Sequence, residues 1–124
     1  MKSRWGNALV VAFLLGAGLL ALSCKGKSNP AGPGGADVTI DINGNLGASS
    51  FSPATATLTV GQTVSWHNTD TMTHTSTADG VSLWDTNNIL PGATSSPIAM
   101  NTAGTHGYHC AIHLGMTGTL IVNP

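Results

Sequence analysis

The sequence predicts an all-β domain, an antiparallel Greek-key β-sandwich, on three observations. From Asp37 onward apolar residues recur with a period of two rather than 3.6. No stretch after residue 36 carries a helical stripe, and short apolar runs are closed at short intervals by Gly, Pro or Asn. A period of two puts alternate side chains on opposite faces of a strand, so one face packs while the other meets water. Several such strands in a chain of this length must pack as two layers to hide their apolar faces.

The strands follow in order. Val38, Ile40 and Ile42 alternate with Thr39 and Asp41. Leu58 and Val60 alternate with Thr57 and Thr59, and Val64 and Trp66 with Ser65 and His67. Gly61-Gln62 joins these last two runs as a tight connection. Further strands are expected at Val81 to Trp84, Ser96 to Met100, Thr105 to Cys110 and Thr117 to Val122. The abundant threonine suits outward faces, because a β-branched side chain fits a pleated surface and its hydroxyl gives polarity without charge. Phe51, Trp66, Trp84 and Tyr108 are expected in the core, with Met72 and Met100 filling gaps between them.

The 124 residues are 41% hydrophobic and only 7% charged, which bounds the chain to one small domain. All four basic residues (Lys2, Arg4, Lys25, Lys27) precede residue 28, and all five acids are aspartates between Asp37 and Asp85. Nucleic-acid binding needs a basic stripe to neutralise phosphates, and the folding part has none.

Lys2 and Arg4 precede an apolar or glycine run from Ala8 to Leu22 that ends at Ser23-Cys24. At fifteen residues it is short of the 18 to 20 or so that a membrane span needs, so residues 1–23 read as an export signal. A buried core helix is the alternative. The ending Ala21-Leu22-Ser23-Cys24 resembles a bacterial lipobox, whose cysteine becomes the lipidated first residue of the mature protein. Residues 24–36 are rich in Gly, Pro, Ser and Lys and read as a flexible tether, leaving 37–124 as the folded domain. If Cys24 carries lipid, Cys110 has no disulfide partner, and a free thiol in an oxidising compartment needs another reason to exist. The other reading is a Cys24–Cys110 bridge, or cleavage elsewhere and a merely buried Cys110.

That reason lies in Tyr108-His109-Cys110-Ala111-Ile112-His113-Leu114-Gly115-Met116. A thiolate, an imidazole and a thioether stand three residues apart, donors that suit a soft one-electron metal such as copper. Cys110 ends a strand, and the following loop returns His113 and Met116 towards it. One strong donor is still missing, and His74, after the Val64–Trp66 strand, is the best candidate. His109 neighbours Cys110 on a strand and should face the opposite way. His67, alternating with Trp66, is expected at the surface, and His106 as a hydrogen-bonded core residue.

With these segments in order, the domain resembles the cupredoxin, or blue copper, family. The matching stretches are Phe51-Ser52-Pro53, Leu58 to Trp66, His74, Leu90-Pro91-Gly92, Ala103-Gly104-Thr105 and Cys110-x-x-His113-x-x-Met116-x-Gly118-Thr119. The two residues between His113 and Met116 resemble the short ligand loop of amicyanin, where plastocyanin usually has four. The resemblance implies one type 1 copper ion with His74, Cys110 and His113 as equatorial ligands and Met116 as the weak axial one. It also implies that the Gly61-Gln62 corner crosses between sheets. Thr75 stands where relatives often place asparagine, Ile112 where they often have proline, and His106 where an aromatic is usual.

The expected function is single-electron transfer between redox proteins, by a monomer tethered at the outer side of a bacterial membrane, with no catalysis of its own. A copper chaperone or sequestering module is the alternative. A lone cysteine in the ligand loop excludes a binuclear copper centre, and the remaining histidines are too few for a multicopper oxidase. A metal-free structural sandwich would leave Cys110 unexplained.

Overall fold

The computed structural model describes residues 35–124. The expected export signal, Cys24 and all but the last two residues of the expected tether lie outside the described residues. Eight strands follow one another: β1 (Val38–Ile42), β2 (Phe51–Ser52), β3 (Thr55–Thr59), β4 (Thr63–Asn68), β5 (Thr77–Ala78), β6 (Ile98–Ala99), β7 (Gly104–His109) and β8 (Thr117–Asn123). A 3-10 turn, Gly47–Ser49, lies between β1 and β2. Among the described residues no helix is long and apolar enough to cross a membrane.

The strands form two four-stranded sheets in the orders β2-β1-β4-β6 and β3-β8-β7-β5. The all-β sandwich is as expected, with one refinement: the pairing is mixed. β1 runs parallel to β4 with Ile40 opposite Trp66, and β3 runs parallel to β8 with Leu58 opposite Val122. The remaining pairings are antiparallel. A period of two reports which face a residue takes and says nothing about the direction of its neighbour. The Gly61-Gln62 corner does carry the chain from one sheet to the other, since β3 and β4 belong to different sheets. Gly61 takes a φ of +92°, a turn conformation that costs a glycine little.

Between the sheets lie Ile40, Ile42, Val64 and Trp66 from one side and Ala56, Leu58, Tyr108, Leu120 and Val122 from the other, all buried. The aromatics meet edge to face: Trp66 on Tyr108 with ring centroids 5.5 Å apart, and Phe51 on Tyr108 at 4.8 Å. Such pairs add to the area they bury because a ring's positive edge meets another's negative face. Burial pushes the Tyr108 phenol up to about 12, so it stays neutral in the core. Opposite Tyr108 in the β7–β8 ladder stands Gly118, where any Cβ would overlap the tyrosine ring.

Two expected strands are corrected. Val81 to Trp84 does not join a sheet; the ladder there is β5, four residues earlier, which pairs Thr77 with His109 and Ala78 with Tyr108. Gly80 takes a φ of +73° and Leu83 N–H bonds back to Val81 C=O, so the chain turns instead of extending. Val81 is 76% exposed, while Trp84 alone returns to the core, donating from Nε1 to Ser76 Oγ at 3.1 Å. The Ser96–Met100 run forms a ladder only at β6. Met100 is buried as expected, but Met72 is 43% exposed and fills no core gap.

Candidate metal centre

Cys110 follows the last β7 residue, on the inward side that Tyr108 also faces, and is 1% exposed. Its N–H donates to Met116 C=O at 3.1 Å, and Met116 N–H reaches back to His113 C=O at 3.4 Å. Gly115, at a φ of +90°, allows the reversal this loop needs. His113 is thereby returned to the sulfur: its Nδ1 lies 3.7 Å from Cys110 Sγ. The third donor arrives from the other side. His74 exchanges two backbone hydrogen bonds with Ile89 and is fully buried. Its Nδ1 lies 3.9 Å from Cys110 Sγ and 3.1 Å from His113 Nδ1.

Around this triangle the polar groups are ordered. Thr75 N–H points at Cys110 Sγ at 3.4 Å, and Thr75 Oγ1 accepts from Ala111 N–H at 2.8 Å. One threonine thus clasps the His74 segment to the Cys110 loop. Burial pushes the Cys110 thiol up, but hydrogen bonds from the Thr75 and His113 backbone, the His74 side chain and the Ile112 backbone outweigh it. The result is a pKa lowered from 9.0 to about 6, so the thiolate, the ligating form, prevails at neutral pH.

Two contributors lie outside the sequence reading. Asp70 Oδ2 sits 2.8 Å from His74 Nε2, the ring nitrogen facing away from the triangle. Asn68, fully buried, donates from Nδ2 to Met72 C=O and Ile89 C=O and accepts Asp70 N–H on Oδ1. Asn68-Thr69-Asp70 is indistinguishable by composition from an ordinary polar turn. The available signal was the four-residue spacing of Asp70 and His74.

The other expected residues sort clearly. Met116 is fully buried in the same core cluster as Cys110, whose N–H its carbonyl accepts. His109 turns outward and pairs with Asp79, and His67 pairs with Asp41 at 3.2 Å, both partly exposed. His106 is corrected from core to half-buried: it bonds Thr102 C=O at 2.9 Å and packs edge-on against Trp84.

Three donors at these separations can each lie about 2.0 to 2.3 Å from one ion, the usual metal–nitrogen and metal–sulfur range. Two imidazoles and one thiolate are also the equatorial set of a blue copper site. The model of the cupredoxin-like domain matches residues 12–122. The chain belongs to the cupredoxin family. It is 34% identical over 99 residues to plastocyanin of Scenedesmus fuscus, covering 69% of this chain and 99% of that protein. It is also 34% identical over 100 residues to chloroplastic plastocyanin of Chlamydomonas reinhardtii, covering 70% of this chain and 68% of that one. Among solved structures it resembles a purple cupredoxin from Nitrosopumilus maritimus, with a TM-score of 0.63, 25% identity and coverage of 69% and 99%. It likewise resembles a reduced Cu(I) form of an amicyanin variant, with a TM-score of 0.58, 25% identity and coverage of 69% and 81%. In this cupredoxin His74, Cys110 and His113 are positioned to form a type 1 copper site.

Proposed function

We propose that this cupredoxin is an exported, lipid-tethered carrier that passes single electrons between larger redox proteins on the outer side of a bacterial membrane. The observation that carries the reading is the site's placement: a buried thiolate and histidine lie directly under a short, apolar, exposed loop. Copper bound there supplies the one-electron couple. His74, Cys110 and His113 would hold it, a preformed donor set that would keep the reorganisation of each transfer small, and the Met116 thioether would be a weaker donor that tunes the potential. The core beneath keeps bulk water from the sulfur.

The same loop offers the contact surface. Leu114 is 92% exposed, Ile112 is exposed beside it, and His113 between them is only half-buried, so its ring edge is the natural exit for an electron. Beyond Lys27 the chain carries five aspartates and neither Lys nor Arg. A partner therefore meets an apolar loop on an acidic domain, which favours apolar or basic docking surfaces. The monomer, the tether at Cys24 and the extracytoplasmic location belong to this reading, supported by the signal-like N-terminus.

Adding Cu(II) to the purified protein tests it. An intense visible thiolate-to-copper band with reversible one-electron reduction is expected; weak absorption points to a chaperone instead. For the tether, Cys24→Ser should move the protein from membrane to soluble fractions, since several acyl chains hold firmly where one does not. A wild-type protein found unmodified and soluble would reject that part.

A further inference from the structure

We propose that Asp70 is the positioning residue of the copper site: it holds His74 by the outer ring nitrogen and biases the site towards Cu(II), lowering the reduction potential. The inference deepens the carrier reading and rests on copper occupying the site.

The ring orientation comes first. His74 Nδ1 faces Cys110 Sγ and His113 Nδ1, so it is the nitrogen that offers a lone pair to the ion. A neutral imidazole then carries its proton on Nε2, and Nε2 lies 2.8 Å from Asp70 Oδ2. The proton is donated outward to a carboxylate, a pairing that fixes tautomer and ring plane and raises the basicity of the ligating nitrogen.

The backbone that carries the carboxylate is itself held. Asp70 N–H is taken by Asn68 Oδ1 at 2.9 Å, and Asn68 is buried and tied to Met72 and Ile89. Gly44 lies against the carboxylate, where a Cβ would stand 3.5 Å away. An aspartate is ionised at neutral pH, and here its Oδ2 stands at hydrogen-bond distance from the His74 ring. Its side chain is only 18% exposed, so its charge is less screened than that of Asp41, 51% exposed and paired with His67. Electron density pushed into His74 stabilises the more positive Cu(II) more than Cu(I). That sign is opposite to the N–H groups aimed at the Cys110 sulfur, which favour Cu(I).

Asp70→Asn keeps the shape and a hydrogen-bond acceptor while removing the charge, and Asp70→Ala removes both. Asp41→Asn makes the same charge change at an exposed pair. Outer-shell substitutions of this kind cost 10- to 100-fold in metal affinity. In Asp70→Asn, Cu(II) affinity is expected to fall about tenfold against an almost unchanged Cu(I) affinity, a rise of about 59 mV for one electron. Asp70→Ala should rise further and Asp41→Asn should stay at the wild-type potential. Equal potentials in wild type and both Asp70 variants would overturn the proposal, as would equal shifts in Asp70→Asn and Asp41→Asn. A second readout needs no copper: in the metal-free protein the His74 Nε2 proton should give a slowly exchanging NMR signal that disappears in Asp70→Ala. Its absence from the wild type would overturn the role of Asp70, whereas a wild type lacking the visible band would overturn the carrier reading.

Discussion

The two histidines of the copper site live in different surroundings. His74 is fully buried, pinned through its backbone to Ile89 and through its ring to Asp70. His113 sits half-buried in a seven-residue turn from Cys110 to Met116 whose crest, Ile112 and Leu114, faces solvent. One side of the metal is scaffold and the other is doorway. A carrier needs both, because tight geometry keeps reorganisation small while a thin covering lets a partner approach within reach of the ion.

The largest expected effect breaks both sides at once. Cys110→Ser should abolish the visible band, because an alcohol cannot supply the thiolate charge transfer; spectra with and without Cu(II) check it. The next separates the two sides. His113→Gly should regain a copper spectrum when imidazole is added to the solvent, since its place opens near the surface. His74→Gly should not, because its place lies under the sandwich. Equal rescue of both would show that the burial difference has no functional meaning.

A subtler probe acts on the doorway alone. Ile112 supplies a backbone N–H that lowers the Cys110 pKa, and proline has none to give. Hydrogen bonds to charged groups are worth about 1.5 to 3 kcal/mol, and only the difference between oxidation states counts. Ile112→Pro should therefore lower the potential by some tens of millivolts, at about 59 mV per 1.4 kcal/mol, without loss of copper. Redox titration of both proteins at one pH measures it. The smallest effect is expected at His109→Ala. Although covalently next to Cys110, His109 points outward to Asp79, so the visible spectrum should stay unchanged.

How much of this was legible depended on what kind of signal each feature leaves. Strands with one packed face announced themselves, as Ile40 and Ile42 in β1 or Leu120 and Val122 in β8, because burial imposes the period. Cys110 and His113 were legible because soft donors three residues apart have few other uses. His74, far off in the chain, was singled out only as the candidate for a missing donor and through the family resemblance. Val81 to Trp84 misled because its alternation reflects one anchored tryptophan beside exposed neighbours rather than a ladder. The parallel pairing of β1 with β4 left no trace in sequence, because direction is decided by chain routing. Asn68, Asp70 and the hydroxyl of Thr75 were missed for a different reason: polar loop residues look alike until the partner they reach is known.

One feature of the topology bears on how such a domain comes into being. β8 runs in the middle of its sheet, hydrogen-bonded to β3 on one side and β7 on the other, yet it follows both in the chain. Until residues 117–123 are available, β3 has no neighbour in its sheet and the core lacks Leu120 and Val122. A chain emerging from the ribosome therefore cannot complete this sheet until synthesis has passed β8. The ligand loop, equally late in the chain, closes only as that last strand slots in.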